Sequence, residues 1–241
     1  MRAETRHQLK QDKFSKTTIQ VAEKTVNWSA EHKSAVVAGA IVIVAVVCAV
    51  LGSWYYREKQ DEKASAEFGR ATRVLDTPVR PAGMPPQPGY ESYASSQERA
   101  TEARKLFQAI INTYPHTRAA DLSHYFVGVT SAQLGDNATA ERELKAVAGY
   151  HNEELSSLAR MALASLYRNT NRPNDAIEIY KQLESKPTRT VGKTAAAIEL
   201  AETYQATGKN AEAKKAYEQI QKDAPQTQAA QLASAKLQEL K

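Results

Sequence analysis

The sequence predicts an all-α chain in which a single N-terminal transmembrane helix precedes an α-solenoid of about three to four helix pairs and a C-terminal capping helix. Two observations carry this prediction: residues 35–56 contain no charged side chain, and one apolar pattern recurs four times between residues 103 and 220. No segment shows the sustained two-residue alternation that indicates strands. With 241 residues, ten Gly and one Cys, the composition also excludes a collagen-like chain and a disulfide-stapled scaffold.

The apolar run at residues 35–56 is long enough to cross a membrane. As a helix it covers roughly 33 Å, against a hydrocarbon core of about 30 Å. Trp54, Tyr55 and Tyr56 close one end, where aromatic rings prefer the headgroup layer. The run is longer than the apolar core of a cleaved signal peptide, so we expect a retained signal anchor, with Cys48 as an inert thiol within it.

The charge distribution predicts the orientation of this anchor. Residues 1–34 form a basic tail with seven Lys/Arg against four Asp/Glu, whereas residues 57–241 hold twenty-five against twenty-three. Because positive charge in short flanks stays inside, we expect a cytoplasmic tail and an exported domain. The alternative is an adaptor that faces the cytoplasm. A nucleic-acid-binding domain would concentrate basic charge on itself, so the balance argues against that class.

The recurring pattern is an Ala, an aromatic residue or Leu four positions later, and an apolar residue three positions after that. Its leading alanines lie 37, 36 and 37 residues apart. This spacing places each triplet on one stripe of a helix, where Ala lets a neighbouring helix approach closely. The four copies are Ala103–Phe107–Ile110, Ala140–Leu144–Val147, Ala176–Tyr180–Leu183 and Ala213–Tyr217–Ile220.

A second apolar stripe lies upstream of each later triplet, and a turn separates the two. In the last unit this stripe is Leu200, Ala201 and Tyr204. Gly or Asn in the turn can adopt the left-handed conformation that ends a helix. Each unit is therefore predicted to be a helix–turn–helix that buries its core by stacking on its neighbours. The turns span residues 134–137, 169–174 and 207–210.

These residues resemble the tetratricopeptide repeat, whose usual period is about 34 residues. The resemblance covers residues 96–225 and is strongest at 194–225, while 226–241 is expected to form the capping helix. The first unit has no clean first helix, and Ser131 replaces the expected aromatic residue in the second. Residues 57–77 are expected to continue the membrane helix. The Pro-rich linker at 78–95 is expected to be an extended polyproline spacer, or else a ligand for a proline-recognising domain.

The resemblance also implies a binding face. In this family, peptides bind the concave side lined by the first helix of each pair. Members that grip a C-terminal carboxylate use Lys, Asn and Arg there, whereas the matching positions here are mostly apolar and suit apolar or unfolded segments. The alternative is that several of these side chains pack between helices. The candidate protein-binding residues are Leu122, Tyr125, Val129, Leu158, Met161, Ser165, Ala195, Ile198 and Glu202.

The sequence offers little catalytic or cofactor chemistry. Val191–Thr194 imitates the end of a P-loop, but Pro187 stands where the first Gly should be, so we reject nucleotide binding. His116, His124 and His151 are scattered and lack a Cys or HExxH partner, so no metal and no cofactor are expected. We therefore predict a non-enzyme; an enzyme whose catalytic residues lie far apart in sequence is the alternative.

The short basic tail, the single span and the exported repeat array together resemble the YfgM-like bacterial family. That resemblance implies an inner-membrane protein with a periplasmic interaction scaffold, ancillary to the SecYEG translocon and linked to periplasmic chaperones. Its partners would be other proteins and the lipid bilayer, with no nucleic acid and no nucleotide. The alternative function is a coordinator of envelope assembly or cell division that uses the same platform.

Overall fold

The computed structural model describes residues 32–240, and within that range the chain is helical with a single isolated bridge between Val79 and Tyr93. The all-α prediction is therefore confirmed. The predicted basic tail lies, except for residues 32–34, outside the described residues. The helices are α1 (Lys33–Asp76), α2 (Ser96–Thr113), α3 (Arg118–Gln133), α4 (Asn137–Ala148), α5 (Glu153–Asn169), α6 (Pro173–Ser185), α7 (Lys193–Ala206), α8 (Asn210–Asp223) and α9 (Gln228–Glu239).

The helices from α2 to α9 pack in chain order, each against the next, as an α-solenoid requires. All four predicted triplets are buried, and their leading residues Ala103, Ala140, Ala176 and Ala213 are each 0% exposed. The upstream stripes are buried as well. The triplets lie on α2, α4, α6 and α8, which makes α3, α5 and α7 the first helices of three pairs. At the end of the array, α9 packs on α8 and α7.

The turns inside the pairs adopt the left-handed conformation that the sequence predicts. Gly135, Asn171 and Gly208 have φ of 79°, 60° and 72°. Each follows the first helix of its pair and lets the chain reverse within a few residues, because Gly and Asn tolerate this region at low cost. The spacing of these three residues equals that of the last three leading alanines. The turn and the buried alanine therefore occupy the same relative positions in each repeat.

The missing first helix of the first pair is found in α1. The described chain divides into two units between residues 58 and 59, and α1 contributes to both. Within the second unit, Ala64 and Ala71 of α1 are 0% exposed and join a core cluster with Phe107. The ring of Phe68 lies 5.6 Å from those of Phe107 and Phe126. Residues 59–76 therefore pack through their side chains against α2 and α3.

The Pro-rich segment is a closed loop in the turn of this first pair, and the expectation of an extended spacer is wrong. The backbone N–H of Tyr93 donates to the Pro78 carbonyl over 3.0 Å, and the N–H of Arg80 donates to the Tyr93 carbonyl over 2.9 Å. The Arg80 guanidinium also donates to the Ser92 carbonyl. Proline removes only its own donors, and the donors that close the loop belong to Arg80 and Tyr93.

Gly128 of α3 lies very close to Leu144 of α4, and this contact predicts the sign of a stability change. A Cβ atom added there would lie 2.7 Å from Cγ of the buried Leu144, whereas one added at Gly69 would meet nothing within 4 Å. Gly128→Ala should lower the free energy of unfolding by about 1–3 kcal/mol through overpacking. Gly69→Ala should raise it by about 0.5–1 kcal/mol, because Ala favours the helix.

Thermal unfolding of the full chain in detergent, followed by far-UV circular dichroism, measures both changes. If the two variants shifted the melting temperature in the same direction, the close approach at Gly128 would be contradicted. Shortening the neighbour in Gly128→Ala with Leu144→Ala tests whether the clash itself carries the loss.

Ala213→Glu tests the repeat register. Ala213 is fully buried between helices, so the Glu side chain would overpack the interface and bury an unpaired charge. We expect a loss of at least about 2 kcal/mol in the free energy of unfolding. The matched control is Ala211→Glu on the same helix, at an exposed position. In chemical denaturation, the control should unfold at the wild-type midpoint, and a wild-type midpoint for Ala213→Glu would reject the register.

Candidate functional site

The nine predicted binding residues lie on α3, α5 and α7, the first helices of three pairs, and we call the surface they form the candidate face. α3 contacts α5, and α7 contacts α9. The step from α5 to α7 is bridged by a salt bridge of 2.7 Å between Arg168 and Glu199. The buried side of each of these helices packs on its own partner helix, through residues such as Val127, Leu163 and Leu200.

The large apolar members of the candidate face are partly buried in the core and partly exposed to solvent. Six of them are half-buried and pack against the main core cluster. The ring of Tyr125 lies 5.3 Å from that of Phe126, and burial raises the pKa of the Tyr125 hydroxyl. The same side chains thus pack between helices and keep part of their apolar surface exposed to solvent. Their binding role therefore stays a prediction. The six are Leu122, Tyr125, Val129, Leu158, Met161 and Ile198.

The three remaining members differ in environment. Ala195 at the start of α7 is exposed, and Ser165 on α5 is half-buried. Glu202 lies 3.7 Å from the Arg168 guanidinium, which also pairs with Glu199. Sequence reasoning missed Arg168, although it follows Ser165 by one helical turn and therefore lies on the same side of α5.

A polar cluster continues from this salt bridge towards α9. Tyr217 donates to the Gln205 side chain over 3.1 Å, and Gln205 donates to Glu239 over 3.4 Å. Lys236 pairs with Glu239 at 2.8 Å, which raises the pKa of Lys236 and lowers that of Glu239. We use the name polar cluster for the charged residues Arg168, Glu199, Glu202, Lys236 and Glu239 together with Gln205.

The hydroxyl of Tyr217 is affected by two of these carboxylates. Its pKa is raised to about 12, first by burial and then by the charges of Glu202 and Glu239. Glu202 also raises the pKa of Lys236. Carboxylates from α7 and α9 therefore affect the same two groups, Tyr217 and Lys236. In the sequence, Glu202 and Glu239 are separated by the length of a whole helix pair.

Two of the residues considered for other chemistry, His124 and Lys193, have structural partners. His124 Nδ1 lies 2.7 Å from Glu143, a nearly buried carboxylate that Arg142 also contacts, and these contacts lower the pKa of Glu143 against the opposing effect of its burial. Lys193 of the P-loop-like fragment pairs with Asp223 at 2.6 Å. Among residues 32–240, no group of three His, Cys, Asp or Glu side chains could hold a metal ion.

Comparison with known proteins agrees with this geometry. A family model described as a tetratricopeptide repeat-like domain matches residues 26–241. The search of curated proteins gave no match. Domains of this kind generally bind other proteins and are generally non-catalytic scaffolds. Since the match covers most of the chain, including every helix pair described above, the protein belongs to the tetratricopeptide repeat-like domain family.

Proposed function

We propose that the protein is a single-pass anchor of the bacterial inner membrane whose repeat domain is a periplasmic protein-interaction scaffold, ancillary to the Sec translocon and to periplasmic chaperones. The half-buried apolar side chains of the candidate face carry the proposal. One side of each of these side chains packs against the core, and the other side remains exposed as apolar surface. A rigid, partly apolar surface of this kind suits polypeptide segments better than small polar ligands.

The first half of α1 supports the membrane part of the proposal. It contains an 18-residue window with a mean hydropathy of 2.9, and none of that window is buried within the chain. Trp54, Tyr55 and Tyr56 are 64%, 61% and 64% exposed. Apolar side chains in such numbers are stable in a lipid environment, and the three aromatic residues fit the interface between lipid and water.

Crosslinking in intact membranes followed by mass spectrometry tests the choice of partner. Enrichment of translocon subunits or periplasmic chaperones over a sample without crosslinker supports the proposal. Enrichment of division or outer-membrane assembly factors instead would favour the coordinator of envelope assembly. Cytoplasmic proteins alone would contradict both and would indicate an adaptor that faces the cytoplasm.

The orientation gives a prediction of its own. A reporter enzyme that is active only outside the cytoplasm, fused after Lys241, should be active, because the short flank of the span is positive and the long domain is nearly neutral. A reporter that works only in the cytoplasm serves as the control in the same position. The orientation is reversed if only this second fusion shows activity.

A pair of substitutions tests the candidate face. Met161→Asp with Ala195→Asp places two carboxylates on it, and the desolvation of these groups on contact with an apolar partner should reduce crosslinked partner at least tenfold. Ala195 is exposed and Met161 half-buried, so we expect the helices to persist. Tyr125 is a poorer choice, because its ring packs edge-on against Phe126.

The matched control is Ala138→Asp with Ala211→Asp. Both positions are exposed in the first turns of the second helices α4 and α8, and the net charge changes equally. This control should capture partner at the wild-type level. Full capture by the Met161 and Ala195 variant, with its circular dichroism unchanged, would move the binding site to another surface.

A further inference from the structure

The candidate face changes chemically along the array. On α3 it consists of Leu122, Tyr125 and Val129, and on α5 it continues with Leu158 and Met161, all of them half-buried. On α7 it continues with Ala195 and Ile198 and ends in Glu202, which belongs to the polar cluster. A partner that lies across all three helices therefore meets apolar surface at one end and charged side chains at the other.

The charged end carries a surplus of carboxylates. Glu199, Glu202 and Glu239 face two cations, Arg168 and Lys236. Arg168 contacts Glu199 at 2.7 Å and Glu202 only at 3.7 Å, while Lys236 pairs with Glu239. Glu202 thus has the longest ion pair of the three acids, and its side chain is 38% exposed. It is the carboxylate that can accept a further cation without losing a short contact.

A buried polar group beside these charges also lacks a partner. Tyr180 is 0% exposed, and its hydroxyl oxygen has no hydrogen-bond partner among the described residues. Burial raises its pKa, the charge of Glu199 raises it further, and the charge of Arg168 lowers it. Apart from its ion pair with Arg168, Oε2 of Glu199 is also buried without a hydrogen-bond partner among the described residues, so two buried polar atoms at this end of the face have unused hydrogen-bonding capacity.

We propose that the candidate face binds a polypeptide segment in which a short apolar stretch and a Lys or Arg side chain occur at a defined spacing, the apolar part on α3 and α5 and the cation at Glu202. This inference rests on the scaffold function proposed above and specifies its ligand. Charge complementarity selects the partner, because an acidic segment would meet three carboxylates at the same end.

The general spacing of helices gives a lower bound for the length of the ligand. Because directly packed helices lie about 8–10 Å apart, the two steps from α3 to α7 cover at least roughly 16–20 Å. An extended chain advances about 3.3 Å per residue, so at least about five or six residues separate the first apolar anchor from the cation. A helical ligand would need about twice as many residues to cover the same distance.

Synthetic peptides test the inference on the full chain in nanodiscs of zwitterionic phosphatidylcholine. Each peptide has blocked termini, an uncharged fluorophore, a block of Leu and Met spaced by Ser, and a pair of variable residues about six positions from the first Leu. The two variable residues are both Lys, both Gln or both Glu. Each peptide is made twice, once with the variable residues after the apolar block and once with them before it. Fluorescence anisotropy gives Kd, and empty nanodiscs measure partition into lipid.

In one of the two orders, the Lys peptide should bind roughly fivefold more tightly than the Gln peptide, as a partly exposed ion pair allows, and the Glu peptide should bind most weakly. Glu202→Gln should remove this preference, so that the Lys and Gln peptides bind the variant with equal Kd. The matched control, Glu212→Gln at an exposed position of α8, should keep the preference. The peptide series on the wild-type chain does not depend on how any variant folds.

The outcomes separate this inference from the function on which it rests. Equal Kd values for the three peptides would overturn the cation site and leave an apolar scaffold. Binding no stronger than to empty nanodiscs would overturn the ligand assignment, while partner capture in membranes would still decide the scaffold function. A Lys preference that survives Glu202→Gln would reject the polar cluster as its source.

Discussion

Small side chains set how closely the two helices of each pair approach, and the rest of the repeat array depends on that distance. Ala103, Ala140, Ala176 and Ala213 are each 0% exposed, and at Gly128 even a methyl group would collide with Leu144. Close packing at these points fixes the rotation of each helix about its own axis. The same packing determines which side of α3, α5 and α7 carries the residues of the candidate face.

Much of this arrangement could be predicted from the sequence because its causes are local. A triplet on one helical stripe needs only a few residues, and a turn needs only Gly or Asn at the position with positive φ, as Gly135 and Asn171 show. Such signals survive in each copy and repeat with the same spacing. Their agreement identifies the helix pairs before any long-range contact is considered.

Two features escaped the sequence because their causes are not local. The first helix of the first pair lies in α1, on the far side of a Pro-rich loop that replaces a short turn, so the regular spacing ends before reaching it. The polar cluster arises from contacts between different pairs, such as Arg168 with Glu199. A register argument places each residue on a face but does not show which charges meet across neighbouring helices.

The half-burial of the candidate face bears on how strongly it can bind. Full burial of a large apolar side chain contributes about 1.5–3 kcal/mol, and the six half-buried residues have already gained part of this from the core. The remainder, roughly 5 kcal/mol, is comparable with the 4–15 kcal/mol that association costs. Apolar contact alone therefore gives weak, reversible binding. In the proposed complex, an ion pair at Glu202 would add little affinity but would penalise acidic segments. The polar cluster would then contribute selectivity and the apolar residues attraction.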